Sequence, residues 1–313
     1  MDVTDPAGNT SSLSDTVRVD TGVNALSRSS QPVEGDNVIN ALEARDGVTL
    51  SGQVERGSTV EVDVFGRTYT ANVAANGTWT VHIPGADIPE AAQDFPMVVR
   101  ATDAAGNPDS FTDSLTVDTT VPDQPEIVGY FREGGGYRSA TVETTDDAIS
   151  IHQVAASGQV TQMALHASAD PFLGETDYHF LNGAGAPTRI PDGSQLIVTA
   201  SDAAGNASST YVVLDETSTS VVNIANPNLQ GFQIEAVDLR FGDQSQLTVT
   251  EAQVRGLSDV SDTLVVHGGS DDTVTILGAQ TRGNVDVNGE SHTVYTLGDS
   301  ATVIVDDDIH VIT

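Results

Sequence analysis

The sequence predicts an all-β chain: tandem immunoglobulin-like (Ig-like) β-sandwich modules followed by a distinct β-rich C-terminal domain with one short helix. Three observations carry this. A hexapeptide recurs as Thr4-Asp5-Pro6-Ala7-Gly8-Asn9, Thr102-Asp103-Ala104-Ala105-Gly106-Asn107 and Ser201-Asp202-Ala203-Ala204-Gly205-Asn206, with its Asn residues 98 and 99 apart, the size of an Ig-like module. Runs of period-two alternation rich in Val and Thr, bounded by Gly, Asn and Asp, fill most of the chain, and such runs read as short strands. Hydrophobic residues are 38% and aromatics 5% of 313 residues, which suits a string of small β-domains better than one large enzyme core.

The elements follow in order. After each hexapeptide comes an alternating run: Val17-Arg18-Val19-Asp20-Thr21, Leu115-Thr116-Val117-Asp118-Thr119 and Val212-Val213-Leu214-Asp215-Glu216. In the second copy, Val98 to Thr102 enters the turn and Phe111 to Val117 leaves it. Asp bonds the backbone ahead and Gly supplies a positive φ, so the unit is a β-hairpin, the last two strands of each module, with or without a ligand in its turn. Residues 1–20 then form the remnant closing hairpin of a preceding module, poorly packed because two strands bury no core. By this reading the chain is a segment of a longer array.

A complete module spans 21–120. Val48 to Val54 and Thr59 to Val64 alternate on either side of the turn Glu55-Arg56-Gly57-Ser58, and Thr68 to Val73 and Thr78 to Ile83 flank Asn76-Gly77, a strong hairpin signal. Trp79, the only Trp, sits mid-strand and is assigned to the core. A divergent module over 121–217 keeps the closing hairpin, but Gly134-Gly135-Gly136 and the stretch from Ala167 to Pro187 read as loops. The C-terminal domain, 218–313, drops the hexapeptide. There Thr248 to Val254 offers a hydroxyl cap and then helix formers. Five short strands follow, and Asn288-Gly289 marks another tight hairpin.

Composition excludes several classes of function. Acidic residues number 45, of which 32 are Asp and 13 Glu, against 12 basic residues that are all Arg. The net charge of −33 opposes nucleic-acid binding, which needs cations to displace counterions. With no Cys, disulfide scaffolds, thiolate zinc sites and cysteine nucleophiles are all absent. No apolar run approaches the roughly 20 residues that span a bilayer, and no signal peptide follows Met1. Two readings of the Asp excess stand: solubility in salty surroundings, or a stock of hard oxygen ligands for Ca²⁺.

Five motifs carry a family resemblance. They are Asp36-Asn37-Val38-Ile39-Asn40-Ala41-Leu42-Glu43-Ala44, Gly47 to Gly52, Asn76 to Trp79, Asp103 to Asn107 and Val117 to Thr120. Together they resemble the bacterial Ig-like repeats of giant biofilm-associated adhesins, well over 21–122 and partly over 123–217. Ile234 to Leu239, Leu257-Ser258-Asp259, Asp262 to Val266, Gly269 to Val274 and Val294-Tyr295-Thr296 resemble, more loosely, the domain near the carboxyl end of such adhesins. The resemblance implies export by type I secretion with an uncleaved C-terminal signal, a bacterial cell-surface location and uptake of Ca²⁺ outside the cell. It also implies that the partners are neighbouring modules of one long chain.

Calcium is the sharpest chemical expectation, and sandwich topology says where to look. The closing turn of a module lies at its entry pole beside the preceding linker, and the loop after its first strand lies at the exit pole. Three segments should therefore converge: the early loop (Asp36, Asn37, Asn40, Glu43, Asp46), the linker (Asp118, Asp123) and the next closing turn (Asp202, Asn206). The equivalent set one junction earlier is Asp20 with Asp103 and Asn107. Ca²⁺ takes six to eight oxygens, and a solvated acidic rim with Asx turns is the alternative.

Other motifs offer less. Gly268-Gly269-Ser270-Asp271-Asp272-Thr273-Val274 lacks the third Gly of a Gly-Gly-x-Gly-x-Asp calcium repeat and is read as a turn, as is Asp306-Asp307-Asp308. The seven His show no paired ligand spacing, and His292 is read as a surface rung. No phosphate loop, zincin motif or nucleophile elbow occurs, so a non-catalytic role is expected; with the family resemblance, this implies a monomeric spacer segment of a calcium-dependent surface adhesin, acting in cell adhesion and biofilm. Cell-surface or matrix polysaccharide is a further expected partner. The competing reading is a carbohydrate- or partner-binding module of a secreted enzyme or surface-layer protein, with Tyr130, Phe131 and Tyr137 as its aromatic platform.

Overall fold

The computed structural model describes residues 1–313, apart from the side chains of 216–218. It divides into two compact units: Met1–Ile39 with Asp46–Val117, and Asn40–Arg45 with Asp118–Thr313.

Unit 1 begins with β1 (Asp2–Thr4) and β2 (Thr10–Ser12), paired antiparallel around the first hexapeptide. All of residues 1–21 are exposed, as two strands without a covering layer must be. The remainder is a β-sandwich. One sheet has the order β4 (Val38–Ile39), β11 (Pro108–Asp118), β10 (Ala92–Thr102), β6 (Thr59–Val64), β7 (Arg67–Thr70). The other has the order β3 (Ser27–Arg28), β5 (Val48–Gln53), β9 (Thr78–Ile83), β8 (Asn72–Val73).

Alternate residues turn inward, as the period of two dictates. Val60, Val62 and Val64 of β6 and Met97, Val99 and Ala101 of β10 face Val48 and Leu50 of β5 and Trp79, Val81 and Ile83 of β9. Trp79 is fully buried, and its indole Nε1 donates to the Ser27 carbonyl at 3.1 Å. Gly52 pairs with Trp79 across the sheet. A Cβ there would collide with the Ser27 carbonyl and the indole, so glycine is required by space and not by φ.

Unit 2 opens with the helix α1 (Ala41–Asp46), all but its last residue belonging here. It stands where a loop was expected. Asn40 Oδ1 accepts from the Glu43 N–H and Glu43 Oε2 from the Asn40 N–H, both at 3.0 Å. That reciprocal capping satisfies two otherwise orphan donors and lets so short a helix form.

A four-stranded path then runs β12 (Ile127–Arg132), β13 (Gly136–Glu143), β17 (Glu175–Leu181), β16 (Ala164–Asp170). β14 (Ala148–Val154) and β15 (Val160–Gln162) begin the opposing sheet, and the short β18 (Ile190–Pro191) pairs with β13. The expected loops over 167–187 are corrected: most of that stretch is the β16–β17 hairpin, in full register from Ala164↔Leu181 to Asp170↔Glu175. Its strand pattern was hidden because β16 is an edge strand rich in Ala and Ser that buries no residue.

The closing hairpin joins β19 (Ser194–Ser201) to the long β20 (Ala207–Val222). The expected boundary at 217 falls inside β20. Its first half continues the sandwich, while β21 (Ile234–Asp238) and β22 (Gly242–Thr248) each pair parallel with it. β23 (Thr263–His267) and β24 (Thr273–Thr275) stack parallel on those. After the hairpin β25 (Gln280–Val287) and β26 (Glu290–Leu297), β27 (Ala301–Asp306) and β28 (His310–Ile312) complete the stack.

The C-terminal part is thus a two-faced coil. Each turn gives one strand to the column β20, β21, β23, β27 and one to the column β20, β22, β24, β28. Val222, Leu247 and Val274 on one column face Val237, Leu264 and Val303 on the other within one core. The helix α2 (Glu251–Leu257) is capped reciprocally by Thr250 and Gln253 and buries Val254 and Leu257. It matches the short helix expected in the C-terminal domain.

Candidate metal centre

The three hexapeptides fold alike. In each, the Asp side chain accepts from the backbone N–H of the Asn four residues on and from that Asn's amide. The Nδ2 distances are 2.8 Å in Asp5–Asn9, 2.7 Å in Asp103–Asn107 and 2.8 Å in Asp202–Asn206. Each turn has Gly at positive φ: Gly8 (88°), Gly106 (91°) and Gly205 (85°). The Asn9 and Asn107 amides hold the Asp5 and Asp103 carboxyls below the ordinary carboxylate range, because those bonds favour the charged form.

In unit 1 the second clamp belongs to a larger set. Carboxylate oxygens of Asp20, Glu55 and Asp103 all lie within 4.8 Å of one another. Asp103 is buried, Glu55 half-buried and Asp20 exposed, and none of the three is ion-paired with Arg among the described residues. Glu55 is fixed by Asn24, whose backbone N–H and amide donate to Oε2 at 3.2 and 2.7 Å. The register Thr59↔Thr102 places Ser58 beside Asp103, and the buried Ser58 Oγ has no hydrogen-bond partner.

This set fits a hard divalent cation on the chemistry of its donors. Three carboxylates offer up to six oxygens without a compensating Arg, and Ca²⁺ accepts such oxygens in flexible geometry. Asp20 and Asp103 were expected together. Glu55 was not, because it comes from the β5–β6 turn, which carries no calcium signature. Asn107 serves as the clamp that orients Asp103.

The other expected set, within unit 2, forms a hydrogen-bonded knot. Asn206 Oδ1 accepts from the Ala41 N–H at 2.7 Å, while its Nδ2 donates to the Asp118 carbonyl at 2.8 Å and to Asp202. Helix start, linker and closing turn are therefore tied by one buried amide. Asn40 and Glu43 serve the α1 cap, and Asp123 is exposed on the linker. In unit 1, Asp36 Oδ1 accepts from the Val38 N–H, and Asn37, at φ 75°, accepts from the Val33 N–H. No second group of three carboxylates comes within 4.8 Å among the described residues. Register gives the reason: Thr59 pairs with Thr102 as Ala148 pairs with Ser201. Four residues back, Thr144 stands where Glu55 does.

Two further expectations concern the coil. Gly268 to Asp272 is indeed a turn: Asp272 is buried and accepts from the Ser245 N–H of β22 at 2.8 Å and from the Gly269 N–H at 2.9 Å. His292 is corrected from a surface rung to a fully buried residue: on its face of β26 its ring packs edge to face against His267, centroids 5.2 Å apart. The two imidazoles sit 3.3 Å apart, Nε2 to Nδ1.

Burial pushes His267 below the ordinary imidazole value, with Asp238 and Asp306 opposing and Arg240 and His292 adding to the effect. The unfolded chain therefore binds more protons than the folded one once the pH drops below about 6.5. Stability is full above that value and falls as the pH drops further, until the folded imidazole itself protonates. His152, desolvated against Phe232, contributes with the same sign. The urea midpoint is expected to fall between pH 7.5 and 5.5, and His267→Gln should flatten that slope; an unchanged slope would show that this imidazole is not its source.

Fold and clusters together define an all-β protein of Ig-like sandwich and stacked-coil units with a carboxylate centre. No protein-family profile matches the chain, and no curated protein does. Among solved structures, a bacterial Ig-like domain from the M. primoryensis ice-binding adhesin is 38% identical over 32% of this chain and 100% of its own, with a TM-score of 0.23. A Ca²⁺-stabilized adhesin that helps an Antarctic bacterium bind ice is 23% identical, covering 100% of this chain and 80% of its own, with a TM-score of 0.38. A structure from a 1.5-MDa bacterial ice-binding adhesin is 17% identical over 95% and 99% of the two chains, with a TM-score of 0.37. The chain's structural neighbours are Ig-like modules and domains of large bacterial adhesins, the class it resembles in sequence. No helix among the described residues is long and apolar enough to cross a membrane.

Proposed function

We propose that the chain is a non-catalytic, monomeric spacer segment of a secreted, calcium-dependent bacterial surface adhesin, exported by type I secretion and serving cell adhesion and biofilm formation. The observation that carries this reading is the Asp20–Glu55–Asp103 set: three uncompensated carboxylates brought together from a linker, a strand turn and a closing turn. Residues 1–20 are read as the closing hairpin of a preceding module and 21–120 as one module, with 121–217 and 218–313 following. Ca²⁺ bound there would neutralise the mutual repulsion and tie the linker to the module, stiffening its entry pole. The work is mechanical, with neighbouring modules and surface polysaccharide as partners.

Thermal unfolding tests it. A ligand at about 100 times its Kd adds about 2.7 kcal/mol, so CaCl₂ should raise the unit 1 midpoint over chelator by roughly 10–20 °C for a domain of this size. Glu55→Gln should remove most of the shift, and Glu43→Gln should leave it intact. If calcium moves neither the midpoint nor the small-angle scattering length, the spacer reading fails.

A further inference from the structure

One groove of unit 2 stands apart from the acidic surface around it. It holds about 510 Å³ and is lined by Phe131, Arg138, His166, His179 and the turn residues Pro187 and Thr188 among others. No acidic side chain lines it, although acids outnumber bases 45 to 12 in the chain. Another unit 2 groove of similar size, about 470 Å³, is lined by Glu126, Glu143, Glu235 and Asp238 among others.

Strand register builds the site. Phe131 pairs with Ser139, Ser139 with His179 and His179 with His166, so one row crosses all four strands on one face. Phe131 is 57% exposed, presenting a flat apolar ring. The two imidazoles stack with centroids 6.3 Å apart and planes 23° off parallel. Ser139 Oγ, in the middle of the row, is buried without a hydrogen-bond partner. Arg138 Nε lies 2.9 Å from Glu133 Oε2 at the rim, in a geometry that makes no hydrogen bond. Its terminal NH groups have no protein partner among the described residues.

We infer that this groove binds an acidic sugar, a uronic-acid residue of an oligosaccharide. A pyranose has an apolar C–H face that suits the Phe131 ring and equatorial hydroxyls that suit imidazole nitrogens. Its ring carboxylate matches the planar fork of Arg138, which pairs bidentately with carboxylates. The volume lies in the range of small-ligand sites, and no acid stands in the lining itself, so the one carboxylate a uronate meets there is Glu133 at the rim, with which it shares Arg138. The inference is independent of the calcium reading, since none of these residues belongs to that set.

The test is isothermal titration of the 313-residue chain with a galacturonic acid trimer and with a neutral galactose trimer, in chelator and again in CaCl₂. The uronate trimer should bind at least tenfold tighter than the neutral one, with or without calcium. Arg138→Gln should abolish that preference, and Phe131→Ala should weaken the uronate trimer about tenfold. Phe172→Ala, which removes an aromatic ring 96% exposed on the β16–β17 turn, should change nothing. Equal binding of the two trimers, or a preference that survives Arg138→Gln, overturns the proposal. So does a glutamate peptide of equal charge that binds as tightly through the same residues, or binding that occurs only with calcium.

Discussion

Trp79→Ala is expected to cost unit 1 about 3–5 kcal/mol, the range for emptying a buried aromatic site, and so to consume much of the 5–15 kcal/mol that holds a typical domain folded. The indole lies at the centre of the sandwich, fully buried, across from Gly52. Its removal opens a cavity that β5 and β9 cannot close without breaking the register Val48↔Ile83 to Gln53↔Thr78. It also strips the Ser27 carbonyl of its donor. Trp79→Phe separates the two losses, because it keeps most of the apolar area and loses only the bond and part of the volume. Guanidinium melts followed by circular dichroism should place Phe well between wild type and Ala. Equal midpoints for Ala and wild type would refute the central role of this ring.

Arg240→Ala is the second large effect, located in unit 2. Asp238 is only 1% exposed, and Arg240 holds both its oxygens, Nε to Oδ1 at 3.0 Å and Nη2 to Oδ2 at 2.9 Å. Nη2 also donates to the Ile127 carbonyl at 3.1 Å, which ties the first strand of the sandwich to the coil. Breaking a buried pair leaves an uncompensated carboxylate and costs roughly 3–5 kcal/mol. The Arg240 side chain is 28% exposed, so water entering the gap brings the expected loss nearer to about 2 kcal/mol. Adding Asp238→Asn should recover part of it, since the orphaned charge is then gone. A double variant no more stable than Arg240→Ala would locate the loss in the Ile127 contact instead.

What was legible in the sequence was local. The closing hairpins, the Asn-Gly turns, Trp79 as core and the α2 cap all follow from a few neighbouring residues whose chemistry admits one conformation. The hexapeptide turn was legible because it repeats, but Asn107 and Asn206, expected as calcium ligands, donate their amides to Asp103 and Asp202 instead. Glu55 escaped because its partners come from a linker 35 residues away and a turn 48 residues away, and a single carboxylate in a strand turn looks like any other. The parallel order of the coil escaped for a related reason. Strands of three to seven residues between turns look the same whether the next strand pairs beside them or stacks above, and only the inserted Asn288-Gly289 hairpin announces its direction. Burial of His292 likewise depends on what packs against its face of β26, here His267, which alternation within β26 does not encode.

β20 carries a consequence for load. Its backbone is extended from Ala207 to Val222, zipped antiparallel to β19 up to Leu214 with β21 parallel on its other edge, and then paired parallel with β22, whose register shifts between Asp215 and Thr219. Tension along the strand axis loads those ladders in shear, so many hydrogen bonds must yield together before the strand slides. A peptide linker at the same place would have acted as a swivel, letting each part turn toward the pull and open one bond at a time. Under tension, then, the paired stretches on either side of 217 act as rivets, and the first extension of unit 2 in a pulling experiment should come from elsewhere in its chain.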